Sequence, residues 1–441
     1  MQTLPLFRRT WAEVPGILRL ALPIVMGLAA STLIGVTDTL MLAPLGPVPL
    51  AAVGLTGAVA VPFYAVIYGL LSALSVRIGA AHGAGAARDI PAILRNGLAL
   101  GAVVGIAAAG LMAALLPLLP LLNQPAEVLA ALPGYWLLIS AFLIPYSILT
   151  AFKSAFEAVD RPWLGTAFAF LAVAINVPLN YELIWGIGPL PELGLTGAGV
   201  ATVMAEGLAL LAAFLWWGYA PSMRRLRLRR ALSRQDIGAT FREGAPLGAM
   251  YVVESASVGV ATLMIGTFGA VALAGNQVAQ SVGSVLYMVP LGMAGAVAIR
   301  VAQERGAGNL AALRPIALAS VGAALVWLTV AALVLALRGE TIARLVTDEP
   351  EVAALAALIF LAFAPMQISD ALQSAMLGAL RGLSDTVWPA AVSAIAYWLV
   401  ALPLGWLLAQ WIGPAGVWAG FIPALAGAGA ALTWRFWRAT A

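Results

Sequence analysis

The chain has 441 residues, is 62% hydrophobic and 10% charged, and has a mean hydropathy of +0.98. A water-soluble surface needs far more charge, so soluble multidomain folds are excluded and a polytopic membrane protein of roughly a dozen 20-residue spans is expected. Cysteine is absent and His82 is the one histidine, which excludes disulfides, cysteine–metal centres and histidine clusters.

The first residues, MQTLPLFRRTWAEVPG, lack an apolar region ending in a small-residue cleavage site, so no cleaved leader is expected. Apolar runs then predict twelve helices near 17–42, 50–76, 95–118, 133–153, 163–185, 195–219, 246–268, 277–299, 314–337, 355–378, 389–411 and 415–434. Twelve spans put both termini on one side. Of the 23 Lys and Arg residues, only Arg338 and Arg344 fall on the other side. Seven arginines crowd the stretch MRRLRLRRALSRQDIGATFR after the sixth helix. The positive-inside rule makes the arginine side cytoplasmic, and so places a multi-pass protein in a bacterial-type inner membrane with both termini inside. This distribution accounts for the pI of 9.6 without a nucleic-acid partner.

Residues 21–85 align with 244–308 at a shift of 223, without a gap. Pro23 meets Pro246, Gly46 meets Gly269, Tyr64 meets Tyr287, Arg77 meets Arg300, and Gly83-Ala84-Gly85 meets Gly306-Ala307-Gly308. Pro145 with Pro365, Pro178 with Pro403 and Gly194–Gly197 with Gly413–Gly416 follow at slightly different shifts. The expected organisation is an N-terminal six-helix lobe (1–220), a cytoplasmic arginine-rich linker (221–243) and a C-terminal six-helix lobe (244–441). Six helices per half make the repeats parallel, an architecture found in carriers that rock two bundles about a central site.

Asp38, in VTDTLML, lies in a run otherwise fit only for lipid. Glu206, Glu254 and Asp370 are the other acids inside predicted spans, each costing roughly 2.5–3.5 kcal/mol at a helix centre. With no Lys or Arg expected at that depth, such acids usually face a cavity and bind a proton, a metal ion or a cationic substrate. The bland alternative is a protonated carboxyl hydrogen-bonded between helices, and for Glu206 it weighs as much as the functional one. The repeat partners of Asp38 and Glu254 are Ala261 and Ser31, so the halves share architecture and divide the chemistry. In AINVPLNYELIWG, Asn176 and Asn180 are four residues apart on one helix face, around Pro178, which frees a backbone carbonyl. With Asp38, and the hydroxyl of Thr202, they make an oxygen-rich set suited to a hard cation, although interhelical amide pairs are also common as packing.

The stretches LALPIVMGLAASTLIGVTDTLMLAPLG, NVPLNYELIWG, YVVESA and ISDALQSAMLGALRGLSDT resemble the multidrug and toxic compound extrusion (MATE) family, its NorM-like branch above all, over essentially the whole chain. The resemblance implies an all-α membrane fold, two six-helix lobes forming a V, and a cation-coupled antiporter of organic cations. It matches Asp38, Glu254, Asp370, Asn176 and Asn180 to family positions. Na+ or H+ would be the coupling ion, with Na+ at Asp38, Asn176 and Asn180 or at Glu254 and Asp370. No other cofactor is expected, and the partners are small organic cations and the bilayer around a monomer. The chain departs from the family at Met366, where some members carry tyrosine, and at Asn276-Gln277, where His-Gln is frequent. Tyr64, Tyr146, Tyr287 and Trp398 are candidate cavity walls. Pro23, Gly27, Gly35, Pro178, Pro365 and Pro403 are candidate bending points. A lipid-linked-precursor flippase of related architecture is the alternative, but would want a cationic cavity. An intramembrane enzyme would need an Asp-rich metal motif or a protease pair, neither of which the spans contain.

Overall fold

A computed structural model describes residues 6–122, 125–187, 191–227 and 231–441. Arg229 and Arg230 of the arginine loop, and the first five residues, lie outside the described residues. Among the described residues twelve helices are long and apolar enough to span a membrane. They are α1 (Leu6–Leu42), α2 (Pro47–Gly83), α3 (Ile90–Ala114), α4 (Ala126–Ala158), α5 (Pro162–Trp185), α6 (Gly194–Tyr219), α7 (Arg234–Gly266), α8 (Ala270–Gly306), α9 (Leu313–Arg344) and α10 (Pro350–Gly382). The last two are α11 (Val387–Ile412) and α12 (Pro414–Ala439).

Several helices outrun their expected spans. α1 takes in Arg8 and Arg9, α2 takes in Arg77 and His82, and α7 begins at Arg234, well inside the arginine-rich stretch. A hydropathy reading ends a span where charge begins, but an α-helix needs only its own backbone bonds and continues into the aqueous interface. His82 accordingly sits in the last turn of α2, not in a loop, with Nε2 3.2 Å from Asp160 Oδ2.

Backbone geometry repeats with the sequence. Gly46 and Gly269 turn the chain into α2 and α8 with φ of 102° and 105°, and Gly85 and Gly308 follow those helices with 67° and 74°. These are left-handed values that glycine adopts without strain. Asp160 and Ser384 hold φ of 60° and 62° after α4 and α10, the matching non-glycine pair.

By their contacts the residues form two compact units, 26–248 and 1–25 with 249–441. In the first, α4 is central and touches α2, α3, α5 and α6. Small residues permit this: a Cβ at Gly105 would lie 2.9 Å from Ile144 Cα, and Ser147 donates to the Gly101 carbonyl at 2.7 Å. In the second unit α10 is central and touches α8, α9 and α12, with Gly378 against the Ala294 carbonyl.

The unit boundaries cut α1 after Val25 and α7 after Gly248, two residues past Pro23 and Pro246 in each case. The arm of α1 packs with the C-terminal helices, and the arm of α7 with the N-terminal ones. Matching ion pairs hold both arms. Glu13 meets Arg300 at 3.1 Å, and Asp236 meets Arg77 at 3.8 Å. Glu13 and Asp236 are themselves 223 residues apart, as are the two arginines.

Candidate functional site

In the unit of residues 26–248, α1, α5 and α6 bring four predicted residues together. Asn180 Nδ2 donates to Asp38 Oδ1 at 2.6 Å and to Asn176 Oδ1 at 3.0 Å. The Thr202 hydroxyl lies 3.0 Å from Asp38 Oδ2 and accepts from Asn176 Nδ2 at 3.3 Å. Asp38 is 4% exposed and both asparagines 0%. The arrangement depends on a tight α5–α6 crossing. Gly197 of α6 lies so close to α5 that a Cβ there would be 2.4 Å from the Leu183 carbonyl oxygen. That proximity sets Thr202, further along α6, opposite Asn176 and Asn180.

One acceptor of the set is left without a donor among the described residues. The Thr202 hydroxyl has one proton for two oxygens in reach, Asp38 Oδ2 and the Ala198 carbonyl. Asn180 Oδ1 is buried with no donor among the described residues. The Asp38 carboxylate and an unsatisfied amide oxygen, Asn180 Oδ1, therefore lie in one buried cluster. Such a set fits Na+ or a proton, both of which supply what is missing. No group of three His, Cys, Asp or Glu side chains exists among the described residues, so transition-metal chemistry has no ligand set there.

Glu206, one turn after Thr202 on α6, is also buried. Here the sequence reading needs correction, because Lys153 of α4 lies within electrostatic reach of Glu206. Lysine's long stem lets a residue at a span end reach inward. Tyr64 and Tyr135 lie within electrostatic reach of Asp38. Tyr64 packs against Tyr146 and Phe142 with centroid distances of 5.2 and 5.9 Å, an aromatic cluster beside the acids.

The other unit gathers Glu254 and Asp370. Tyr287 donates to Glu254 Oε1 at 3.0 Å, Tyr397 lies within electrostatic reach of Glu254, and Ser374 donates to Asp370 Oδ1 at 3.2 Å. Both acids line a cavity of about 20 Å³, with room for roughly one water-sized species. Gln373 Oε1 and Ser393 Oγ, on residues that line the same cavity, are buried without partners among the described residues. Met366 brings no hydroxyl here, and the hydroxyls in the cavity lining come from Tyr287 of α8 and Tyr397 of α11. Tyr397 lies in a π-helical segment, Ile395–Ala401, ahead of Pro403. Proline lacks the N–H that would bond the Leu399 carbonyl, and loosened turns of this kind recur at functional sites. Trp398, in the same segment, donates to the Val253 carbonyl at 3.0 Å, next to Glu254.

Asn276 and Gln277 do not join this cavity. Asn276 accepts from Trp418 Nε1 at 2.8 Å and faces Thr262, a packing role, while Gln277 is exposed. Arg381, at the end of α10, is 2% exposed, with Nε and Nη1 unpartnered among the described residues. The expectation of no buried arginine is thereby corrected, since burial by neighbouring helices leaves no mark on a span-end residue's own sequence. Tyr397, Gln373, Ser374 and Ser393 were missed. Gln373 and Ser374 follow Asp370 at i+3 and i+4, a spacing that pointed to them.

The MatE family model matches the chain twice, over residues 23–182 and 246–407. The chain belongs to the MatE family. The two matches begin 223 residues apart, the register of the internal repeat. Over 447 residues the chain is 34% identical to the probable multidrug resistance protein NorM of Pseudomonas aeruginosa, covering 96% of this chain and 89% of that one. It is also 34% identical over 436 residues to the probable NorM of Deinococcus radiodurans, covering 97% and 96%. The fold is that of the Vibrio cholerae MATE transporter VcmN in its bent form, with a TM-score of 0.87, 21% identity and 98% of both chains covered. It is a multi-pass membrane protein of two six-helix halves, all-α throughout the described residues.

Proposed function

We propose that this protein is a multidrug efflux antiporter, which exports lipophilic organic cations in exchange for an inward-moving Na+ or H+ by alternating access. It works as a carrier, with no chemical step and no cofactor beyond the coupling ion, as a monomer in the inner membrane with both termini cytoplasmic. The reading rests above all on Asp38, a carboxylate buried in an apolar bundle beside an amide oxygen, Asn180 Oδ1, that has no donor among the described residues. The family's NorM members, named for multidrug resistance, support the substrate class.

The coupling ion enters from outside and completes the Asp38–Asn176–Asn180–Thr202 set. A lipophilic cation arriving from the cytoplasm or inner leaflet competes for the same negative charge, so ion and drug move in opposite directions. Tyr64 and Tyr146 offer rings to a flat cation. The Glu254–Asp370 cavity is the second candidate seat for the ion, too small for a drug. A charge moved inward gains about 2.3 kcal/mol per 100 mV and a cation moved outward loses as much, so a one-for-one exchange is driven by the ion's concentration gradient.

The test is efflux of ethidium from reconstituted vesicles under a Na+ gradient or a pH gradient applied separately. Efflux driven by one gradient and lost in Asp38→Asn supports the reading and names the ion. Efflux that survives in Asp38→Asn moves coupling to Glu254 and Asp370. If neither gradient drives any organic cation, the antiporter reading fails.

A further inference from the structure

The arm of α1 carries an apolar stripe that its own unit leaves uncovered. Phe7, Trp11, Leu18 and Leu22 are exposed and, with Val14, recur every three or four residues on one helix face. Glu13, on another face, fixes the arm through Arg300. Val326, Trp327 and Val330 of α9 are exposed as well. Between the two helices runs a cleft of about 330 Å³, lined by Trp11, Val14 and Leu18 from α1 and by Gly322, Val326 and Trp327 among others from α9. Thr10, at its mouth, is the polar exception in the lining.

The cleft has the dimensions and charge of a lipid seat. Its α9 wall runs twelve residue steps, Leu318 to Val330, which is about 18 Å of helix. One leaflet's hydrocarbon is about 15 Å deep. Arg8 and Arg9 precede Thr10 at the mouth, on the arginine-bearing side of the membrane, and neither takes part in an ion pair among the described residues. Trp11, next to Thr10 at the opening, is the residue type that sits at a headgroup boundary. We infer that the α1–α9 cleft binds one anionic phospholipid, whose acyl chain lies along Val14, Gly322 and Val326 and whose phosphate meets Arg8 and Arg9. This site is separate from the acids and stands whatever the transported substrate.

The experiment is native mass spectrometry of delipidated protein titrated with phosphatidylglycerol or with phosphatidylcholine of the same chains. The wild type retains one phosphatidylglycerol in preference to phosphatidylcholine. Arg8→Gln and Arg9→Gln each weaken phosphatidylglycerol roughly fivefold and leave phosphatidylcholine unchanged. Gly322→Phe fills the cleft and lowers retention of both lipids. A side chain at Gly322 starts with nothing within 4 Å, so this variant keeps its fold, which its unfolding temperature verifies. Wild-type retention by a folded Gly322→Phe variant would overturn the site. Equal retention of the two lipids by the wild type would overturn the role of the arginines. A dimer that Gly322→Phe dissociates would assign the cleft to a second copy instead.

Discussion

Gly197→Ala probes the contact on which the Asp38 cluster depends. The new Cβ would sit 2.4 Å from Leu183 O, 2.6 Å from Leu183 C and 3.1 Å from Ile184 N, all backbone atoms that no rotamer change can move. To restore ordinary contact at 3.4 Å, α5 and α6 must part by about 1 Å. The Asn176–Thr202 bond is already 3.3 Å long and breaks, and Thr202 withdraws from Asp38. Overpacking of this kind costs about 1–3 kcal/mol. Gly416→Ala supplies the control, because the repeat-related glycine is equally tight, with a Cβ 2.5 Å from Ala409 N, but lies in the other half, in the α11–α12 crossing. Thermal unfolding in detergent is expected to drop by several degrees in both variants. Gradient-driven ethidium efflux per folded molecule is expected to fall at least tenfold in Gly197→Ala and much less in Gly416→Ala (tenfold being about 1.4 kcal/mol). An equal loss of transport in the two variants would refute the link between the α5–α6 crossing and function.

Other outcomes follow from single contacts. Asp38→Asn keeps the shape and removes the charge, so stability holds while drug accumulation, up to about tenfold for a one-for-one exchange against a tenfold ion gradient, collapses toward equilibrium in a vesicle assay. Tyr287→Phe removes the hydroxyl 3.0 Å from Glu254 and weakens ion dependence without changing drug affinity, as read from transport at graded Na+ or pH. Asn276→Leu strands the buried Trp418 Nε1–H and costs about 1–3 kcal/mol of stability, with transport per folded molecule unchanged. Arg300→Gln breaks a pair whose side chains are each 24% exposed and lowers stability by no more than about 1 kcal/mol in thermal unfolding.

Much of the site was legible because its parts are costly. A lone aspartate in VTDTLML and two asparagines at helical spacing around a proline had to be explained, and the structure brings Asp38, Asn176, Asn180 and Thr202 within hydrogen-bonding distance. The repeat was legible because proline, glycine and arginine mark backbone and boundary positions that Ala-rich helices do not blur. Tyr397 was hidden because IAYWLVA reads as any apolar span, and a π turn has no periodic signature of its own. Lys153 was hidden because depth along a helix says little about where a four-carbon stem points. Asn276 was a candidate for its place in the family's His-Gln pair, and its partner Trp418 lies 142 residues away, beyond any local pattern. The crossing of the arms was equally invisible, since Glu13 and Arg300 are 287 residues apart and each looks like an ordinary interfacial charge.

That crossing bears on how the protein comes into being. Residues 1–25 emerge first during synthesis, but the surface they cover, 249–441, is made last. Until then the arm of α1 has Ile17, Leu20 and Ala21 uncovered and Glu13 unpaired. A fragment ending at residue 220 would bear an arm with nothing to embrace and would lack the 234–248 arm its own helices require. In a pair of half-length chains the same exchange would be a reciprocal domain swap, which joins two identical protomers at little cost. Fusing the pair end to end would yield this topology, with both exchanges at one register, and neither half could afterwards be an independent folding unit.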